Sequence, residues 1–203
     1  MRNIAIILAA GSGVRFGQKK QFITFIDKPL YRHVFDKVLG ILPREDIVIV
    51  GVDIQGGQTR SGSVMAGLEH FAAHKNDIGK VIILEAARPL VTKAQILTLL
   101  GATSLSATFV MPLVDTIVGR GGEYVDRESY YNLLTPQCFD YNLLLDAYRK
   151  NPTKNYTDET RIMYEAHGIR AQFIEDGQNL LKLTYVRDLP ILEHLFKLQT
   201  QEA

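Results

Sequence analysis

A single cysteine, Cys138, is the only thiol in the 203 residues. That excludes an internal disulfide, and no Cys/His spacing matches a zinc site. Charge of one sign is missing too: 23 basic against 22 acidic residues leave a formal net charge of +1. No global field therefore favours nucleic acid or an anionic membrane, and cationic function must be local. No apolar stretch approaches the roughly 20 residues that span a bilayer. The amino-terminal apolar run stops at Gly11 and lacks a small-residue cleavage pattern, so it reads as a strand rather than a signal peptide. Repeats, low-complexity tracts and linker-like segments are absent as well. What remains is an ordinary globular composition, 46% hydrophobic and 22% charged, at a length that buries enough surface to need no staples. The expectation is a single domain over residues 1–203, cytoplasmic, with neither nucleic acid nor membrane as a partner.

Against this plain background, the stretch from Ile4 to Gln21 stands out. An unbroken apolar run, Ile4 to Ala10, empties into a glycine loop that carries Arg15, Lys19 and Lys20. A run without polar alternation reads as a strand buried on both faces, as in parallel sheets. Gly11 and Gly13 remove Cβ where the backbone must turn and where its N–H groups must face an anion closely. Arg15 offers a planar fork and Lys20 a mobile point charge, a pair suited to a polyphosphate. Two familiar motifs fail here. The dinucleotide fingerprint needs glycine where Phe16 stands, with an acidic residue about twenty positions on. The P-loop needs Gly-Lys-Ser/Thr where the chain has Phe16-Gly17-Gln18. A strand-to-helix turn with solvated cations is the plainer reading of the loop alone.

Downstream, apolar residues at helical spacing predict a helix over 29–42, with Pro29 in its first turn. A strand at 46–51, a helix over 61–74, a strand at 80–85, a helix over 93–100 and a strand at 108–112 follow. This alternation argues for right-handed βαβ units and a parallel sheet covered on both faces. From Leu113 the rhythm breaks: Gly119-Arg120-Gly121-Gly122 lies between Val114–Val118 and Glu123–Arg127, the pattern of a β-hairpin arm. Helices at 141–149 and 158–166, a strand at 170–174 and a helix at 187–198 complete the chain.

Two more segments carry polar chemistry. Gly56-Gly57-Gln58-Thr59-Arg60-Ser61-Gly62-Ser63 lies past the second strand, where a parallel sheet leaves its binding crevice. Its glycines let a flat base lie against backbone, and Ser63 can donate or accept. The same residues also fit a helix start capped by Ser61. Glu85-Ala86-Ala87-Arg88 places a carboxylate at the end of the third strand, where Mg²⁺ on phosphates is typically held by one or two carboxylates. Alternatively, Arg88 simply pairs with Glu85 at the surface.

With these segments in view, the chain resembles the 2-C-methyl-D-erythritol 4-phosphate cytidylyltransferase family, which also contains ribitol 5-phosphate cytidylyltransferases. The resemblance runs through Ala9-Ala10-Gly11-Ser12-Gly13 with Arg15 and Lys20-Gln21-Phe22, through Gly56 to Arg60 with Ser63-Val64, and through Glu85 to Pro89. It continues in Asp115-Thr116, Asp126-Arg127, Thr135-Pro136-Gln137, Thr157-Asp158-Glu159 and Lys182-Leu183-Thr184. It implies a Rossmann-like α/β fold of the nucleotide-diphospho-sugar transferase type, a mostly parallel sheet with helices on both faces and a protruding β-hairpin arm at about 113–134. It also implies transfer of a cytidylyl group from CTP to a polyol phosphate. In that scheme Ala9, Ala10, Gly57, Gln58 and Ser63 hold cytosine and ribose, with Gly11, Ser12, Gly13 and Ala86 completing the CTP contacts. Arg15, Lys20 and Lys182 are catalytic, the first two on the triphosphate and Lys182 at the α-phosphorus. Glu85 supports Mg²⁺ or another divalent cation, and Arg88, Thr116, Arg127, Thr135 and Thr157 hold the acceptor. A homodimer through the arm, with Arg127 reaching the partner's site, is part of the same implication.

The chain departs from the family pattern at Glu85 (usually Asp), at Leu84 (usually His) and at Val118 (usually Lys). Asn179 stands where a carboxylate is common, with Asp176 nearby; the 52–55 segment is trimmed and the arm is reduced. 2-C-methyl-D-erythritol 4-phosphate is the first expectation for the acceptor, with ribitol 5-phosphate or another polyol phosphate as the alternative. A dinucleotide-dependent reductase and a catalytically silent nucleotide-binding protein are the competing classes.

Overall fold

The computed structural model describes residues 1–175 and 180–201. In chain order the elements are β1 (Arg2–Leu8), β2 (Thr24–Phe25), β3 (Lys28–Pro29), α1 (Leu30–Leu39), β4 (Ile47–Val50), α2 (Arg60–His70) and β5 (Ile78–Glu85). They continue with α3 (Lys93–Gly101), β6 (Ser106–Pro112), β7 (Tyr131–Asp140), α4 (Tyr141–Lys150), α5 (Glu159–His167), β8 (Gln172–Glu175) and α6 (Leu189–Gln201). The main sheet has the order β4-β1-β5-β7-β6-β8. β1 runs parallel to β4 and β5, β6 runs parallel to β8, and β7 alone is antiparallel to its neighbours.

Both faces of the sheet are covered, which is why β1, β4 and β5 read as continuous apolar runs. Ile4 and Ile6 point into one core with Val48, Val50, Val81 and Ile83, beneath α2, α4 and α5. Ala5 and Ile7 point into the other with Ile47, Ile49, Ile82 and Leu84, beneath α1 and α3. A satellite cluster of Phe16, Phe25, Leu30, Leu90, Leu183 and Leu192 ties the loop after β1 to α6.

Three expectations need correction. The helix placed at 61–74 begins at Arg60 with Thr59 as its cap, accepting from Gly62 N at 3.0 Å, and ends at His70 before a 3-10 turn. Ser61 faces inward instead: its Oγ donates to Tyr156 O (2.8 Å) and accepts from Tyr156 N (2.6 Å). The arm is shorter than 113–134, because Tyr131 onward belongs to the centre of the sheet. Within the connector of 113–130 the expected hairpin strands shrink to one bridge, Val118 with Tyr124, closed by Gly119 N to Glu123 O at 2.7 Å. β7 itself was hidden by Pro136, which cannot donate to a ladder and normally argues against a central strand. Here Phe109 pairs with Leu134 and Thr108 with Gln137, so Thr135 and Pro136 fall in a bulge that needs no donor from the proline. The Thr108 hydroxyl takes up the Leu134 carbonyl at 3.0 Å. Asp176 and Asn179 lie outside the described residues.

Under α6, Lys37 donates to Pro89 O at 2.5 Å and lies over the Phe196 ring. Burial, assisted by Lys28, pushes its ammonium down from 10.5 to about 8. An unfolded chain then binds the proton more tightly, so stability rises with pH between about 8 and 10.5. Lys37→Met removes the buried charge at the expense of the Pro89 hydrogen bond. It is expected to raise stability by about 1 kcal/mol at pH 7, with the advantage fading above pH 10 in thermal unfolding. A variant less stable than the parent at pH 7 would count against a strained ammonium.

Among the described residues no helix is long and apolar enough to cross a membrane.

Candidate active site

The carboxyl ends of β4, β1 and β5 are stitched side by side: Ala9 N donates to Val50 O (2.8 Å) and Ala86 N to Leu8 O (3.0 Å). Above them opens a cleft of about 570 Å³, where ligands of open α/β sheets bind. The residues read from the sequence as catalytic or CTP-binding, Ala9 to Gly13, Arg15, Lys20, Gly57, Gln58, Ser63, Ala86 and Lys182, all line it together with Glu85.

The loop is a cradle closed by its own turns, with Phe16 N and Gly17 N both donating to Gly13 O at 2.9 Å. Gly13 has φ +74°, and a Cβ there would meet the Gln18 carbonyl oxygen at 1.7 Å. Gly11 behaves differently, since nothing lies within 4 Å of the space its Cβ would fill. Its missing side chain therefore serves the cleft. Buried Gln21 donates to Gly11 O at 3.0 Å and sets that peptide's orientation. Phe16, 6% exposed, anchors the loop in the satellite cluster; no helix follows directly, only a 3-10 turn at Lys20–Phe22. The glycines of the second segment serve the protein as well as any base: a Cβ on Gly56 would strike Ala10 Cβ at 2.2 Å, and one on Gly57 the Gly62 backbone at 2.5 Å. They let the two cleft walls close on each other. Ser63 Oγ donates to Thr59 O at 3.0 Å, which leaves its lone pairs for a ligand donor.

Lys182 lies far from Glu85 in sequence, and hydrogen bonds to the backbone of its segment bring it in. Leu183 N donates to Ala87 O at 2.9 Å, Arg88 Nη1 donates to Leu180 O, and Lys20 Nζ donates to Leu183 O at 2.5 Å. Lys182 Nζ then pairs with Glu85 Oε2. The other oxygen, Oε1, faces Arg60 Nε at 3.3 Å. Burial alone would raise the Glu85 carboxyl, but Lys182, Arg60 and Arg88 outweigh it and hold it down at about 2. Lys20 is shifted below the usual lysine range by burial and then by Lys182 and Arg15. Cations crowd the cleft around one carboxylate, an arrangement that favours a polyanion.

Arg60 lines the cleft although sequence reasoning gives it no role; its place in the polar segment between Gly57 and Ser63 is the one local signal. The acceptor residues are not gathered there. Arg88 does not pair at the surface with Glu85; its Nε donates to buried Thr135 Oγ1 at 2.8 Å, behind the cleft. Thr116 and Arg127 sit exposed in the arm, where Arg127 Nη1 donates to Val114 O. Thr157 is exposed beside the anchored Tyr156. Among the described residues no group of three or more His, Cys, Asp or Glu is placed to hold a metal.

A glycine cradle, convergent cations and a carboxylate at the switch of a mostly parallel sheet define a nucleotidyltransferase-type α/β protein. A family model, 2-C-methyl-D-erythritol 4-phosphate cytidylyltransferase, matches residues 3–197, and the chain belongs to that family. It is 34% identical over 216 residues to the cytidylyltransferase of this name from Deinococcus radiodurans, covering 96% of this chain and 89% of the relative. It is 33% identical over 214 residues to the bifunctional enzyme IspD/IspF of Granulibacter bethesdensis, covering 95% of this chain. The bifunctional IspDF structure from Campylobacter jejuni superposes with a TM-score of 0.80 at 27% identity over 95% of this chain. The chain spans about half the length of those two bifunctional relatives, 56% and 54%.

Proposed function

We propose that this chain transfers the cytidylyl group of CTP to 2-C-methyl-D-erythritol 4-phosphate, releasing pyrophosphate, a step of isoprenoid precursor synthesis. The observation that carries the reading is the convergence of Arg15, Lys20 and Lys182 with the base-side residues Ala10, Gly57 and Ser63 on one cleft. The acceptor's phosphate oxygen is already an anionic nucleophile, so no covalent enzyme intermediate is required. It bonds to the α-phosphorus, the bridge to the β-phosphorus breaks, and that oxygen leaves with pyrophosphate. Positioning and neutralisation do the rest. Arg15 and Lys20 hold the departing phosphates, and Lys182 offsets charge at the α-phosphorus. Among the described residues Glu85 is the only carboxylate lining the cleft, with Oε2 paired to Lys182 and Oε1 facing Arg60. On this reading Mg²⁺ would share Glu85 with those two cations and take its other ligands from phosphate oxygens and water, and the ion would supply further charge neutralisation on the phosphates.

Pyrophosphate release from CTP, UTP and ATP with a panel of acceptor phosphates tests the reading. CTP with 2-C-methyl-D-erythritol 4-phosphate is expected to be the best pair, and chelation with EDTA to stop it. Comparable turnover with UTP, or faster turnover with ribitol 5-phosphate, would defeat it.

The working form on this reading is a cytoplasmic homodimer joined through the arm. Support comes from Val114, Val118 and Tyr124, which are 76%, 53% and 80% exposed on a segment too small to bury them itself. Arg127 then serves the partner's acceptor phosphate. Mixing Arg127→Ala with Lys20→Ala chains is expected to recover up to about a quarter of full activity, since half the random pairs are mixed and each holds one complete site. Exchanged subunits without recovery would reject the shared site.

A further inference from the structure

Arg60 and Glu159 both belong to segments singled out in the sequence, and the transfer chemistry leaves both without a task. Glu159, the first residue of α5, is fully buried. Its two oxygens take the Arg60 guanidinium in a fork, Nη1 to Oε1 at 2.5 Å and Nη2 to Oε2 at 2.7 Å. Behind them the Tyr148 hydroxyl donates to Oε1 at 2.9 Å. The backbone beneath is fixed as well, because Ser61 clasps Tyr156 by two reciprocal hydrogen bonds. Taking a carboxylate and a guanidinium out of water is costly, and apolar side chains of similar volume generally fill such a space at least as well. Stability is thus a poor reason for the pair. Geometry supplies another: with Nη1 and Nη2 committed, the remaining Nε is directed at Glu85 Oε1, while Lys182 holds Oε2. The Glu85 carboxylate is gripped from one side by a flexible lysine and from the other by an arginine locked into the interior.

We propose that Glu159, backed by Tyr148, is a positioning residue. It fixes the Arg60 guanidinium against Glu85 and so sets the plane of the carboxylate in the cleft. Glu159 is buried and does not line the cleft, and its effect passes through two ion pairs. This rests on the cytidylyl-transfer reading, and wild-type turnover with CTP is the control that separates the two.

The experiment is a double-mutant cycle on kcat and on KM for CTP, using Glu159→Gln, Tyr148→Phe, Glu85→Gln and their pairs, with thermal unfolding of every variant. In the parent background Glu159→Gln should lower kcat about 10- to 100-fold, the effect of misplacing a group by about an ångström, with KM changed less than about three-fold. Tyr148→Phe should lower kcat about three- to ten-fold on the same reasoning. In the Glu85→Gln background either change should lower kcat by less than about two-fold, while the drop in melting temperature stays the same in both backgrounds. That contrast is what a merely structural role does not produce. Losses in kcat that multiply independently of Glu85, losses confined to KM, or an unchanged kcat would each overturn the proposal while leaving the functional reading intact. Should Glu159→Gln fail to fold, the milder Tyr148→Phe completes the same cycle. A wild-type chain that does not turn over CTP would overturn the functional reading and this one with it.

Discussion

Lys20→Ala should lower kcat/KM for CTP by on the order of 10² to 10³, the usual loss when a preorganised donor is removed from developing charge. The ammonium sits among the cations of the cleft. It is half-buried, donates to Leu183 O, and is held below the ordinary lysine range by burial and by Lys182 and Arg15. A polyphosphate relieves that repulsion, and an ammonium that gives one N–H to Leu183 O keeps two more for its ligand. The shift also sets a direction for pH: activity that needs the ammonium is lost earlier on the alkaline side than for an ordinary lysine. Because Lys20 is only half-buried and gives the fold a single hydrogen bond, to Leu183 O, thermal stability should change by no more than about 1 kcal/mol. Near-normal turnover of the alanine variant at saturating CTP would remove Lys20 from the machinery, and a large drop in melting temperature would recast it as structural.

Phe16→Ala should destabilise the protein by about 3 kcal/mol, in the range for emptying a buried aromatic site. Phe16 is 6% exposed and shares its cluster with Phe25, Leu30, Leu90, Leu183 and Leu192. Leu183 also links Lys182 to the cleft, so the cavity loosens the loop and the late lysine together. A raised KM for CTP should accompany the fall in denaturant midpoint. Phe16→Leu, which keeps most of the volume, should lose less than about 1.5 kcal/mol. If alanine costs no more than leucine, the loop is held by its own backbone bonds, Phe16 N and Gly17 N to Gly13 O, and the anchoring role fails.

The residue that spoils the dinucleotide fingerprint is thus the one that seats the loop, which illustrates what the sequence makes legible. β1, β4 and β5 could be read because burial on both faces writes a continuous apolar run. Gly11 and Gly13 could be read because few other residues suit a tight backbone near an anion. The strand through Thr135-Pro136-Gln137 could not, since its proline is excused only by a register break against β6, a fact of the partner strand. Long-range polar pairing was hidden for the same reason. Nothing near Arg88 announces Thr135, and nothing near Arg60 announces Glu159, 99 residues away. Lys182 was reached by resemblance alone, as spacing says nothing about the Leu183 to Ala87 bond that delivers it.

The reversed strand has a consequence for the order in which the molecule is made. β4, β1 and β5 form one parallel group and β6 and β8 another, and β7 is the sole strand hydrogen-bonded to both. The first group is complete in sequence by Glu85, whereas β6, finished at Pro112, has no partner until Tyr131 to Asp140 has been synthesised. A growing chain must therefore hold an unpaired, largely apolar strand through the whole length of the arm before the sheet can close. Closing it means threading β7 between two existing edges, a contact of long sequence separation and high closure entropy. The cleft is later still, because Lys182 arrives after the sheet that supports it. A nascent chain can thus own the complete glycine cradle long before it owns a complete site.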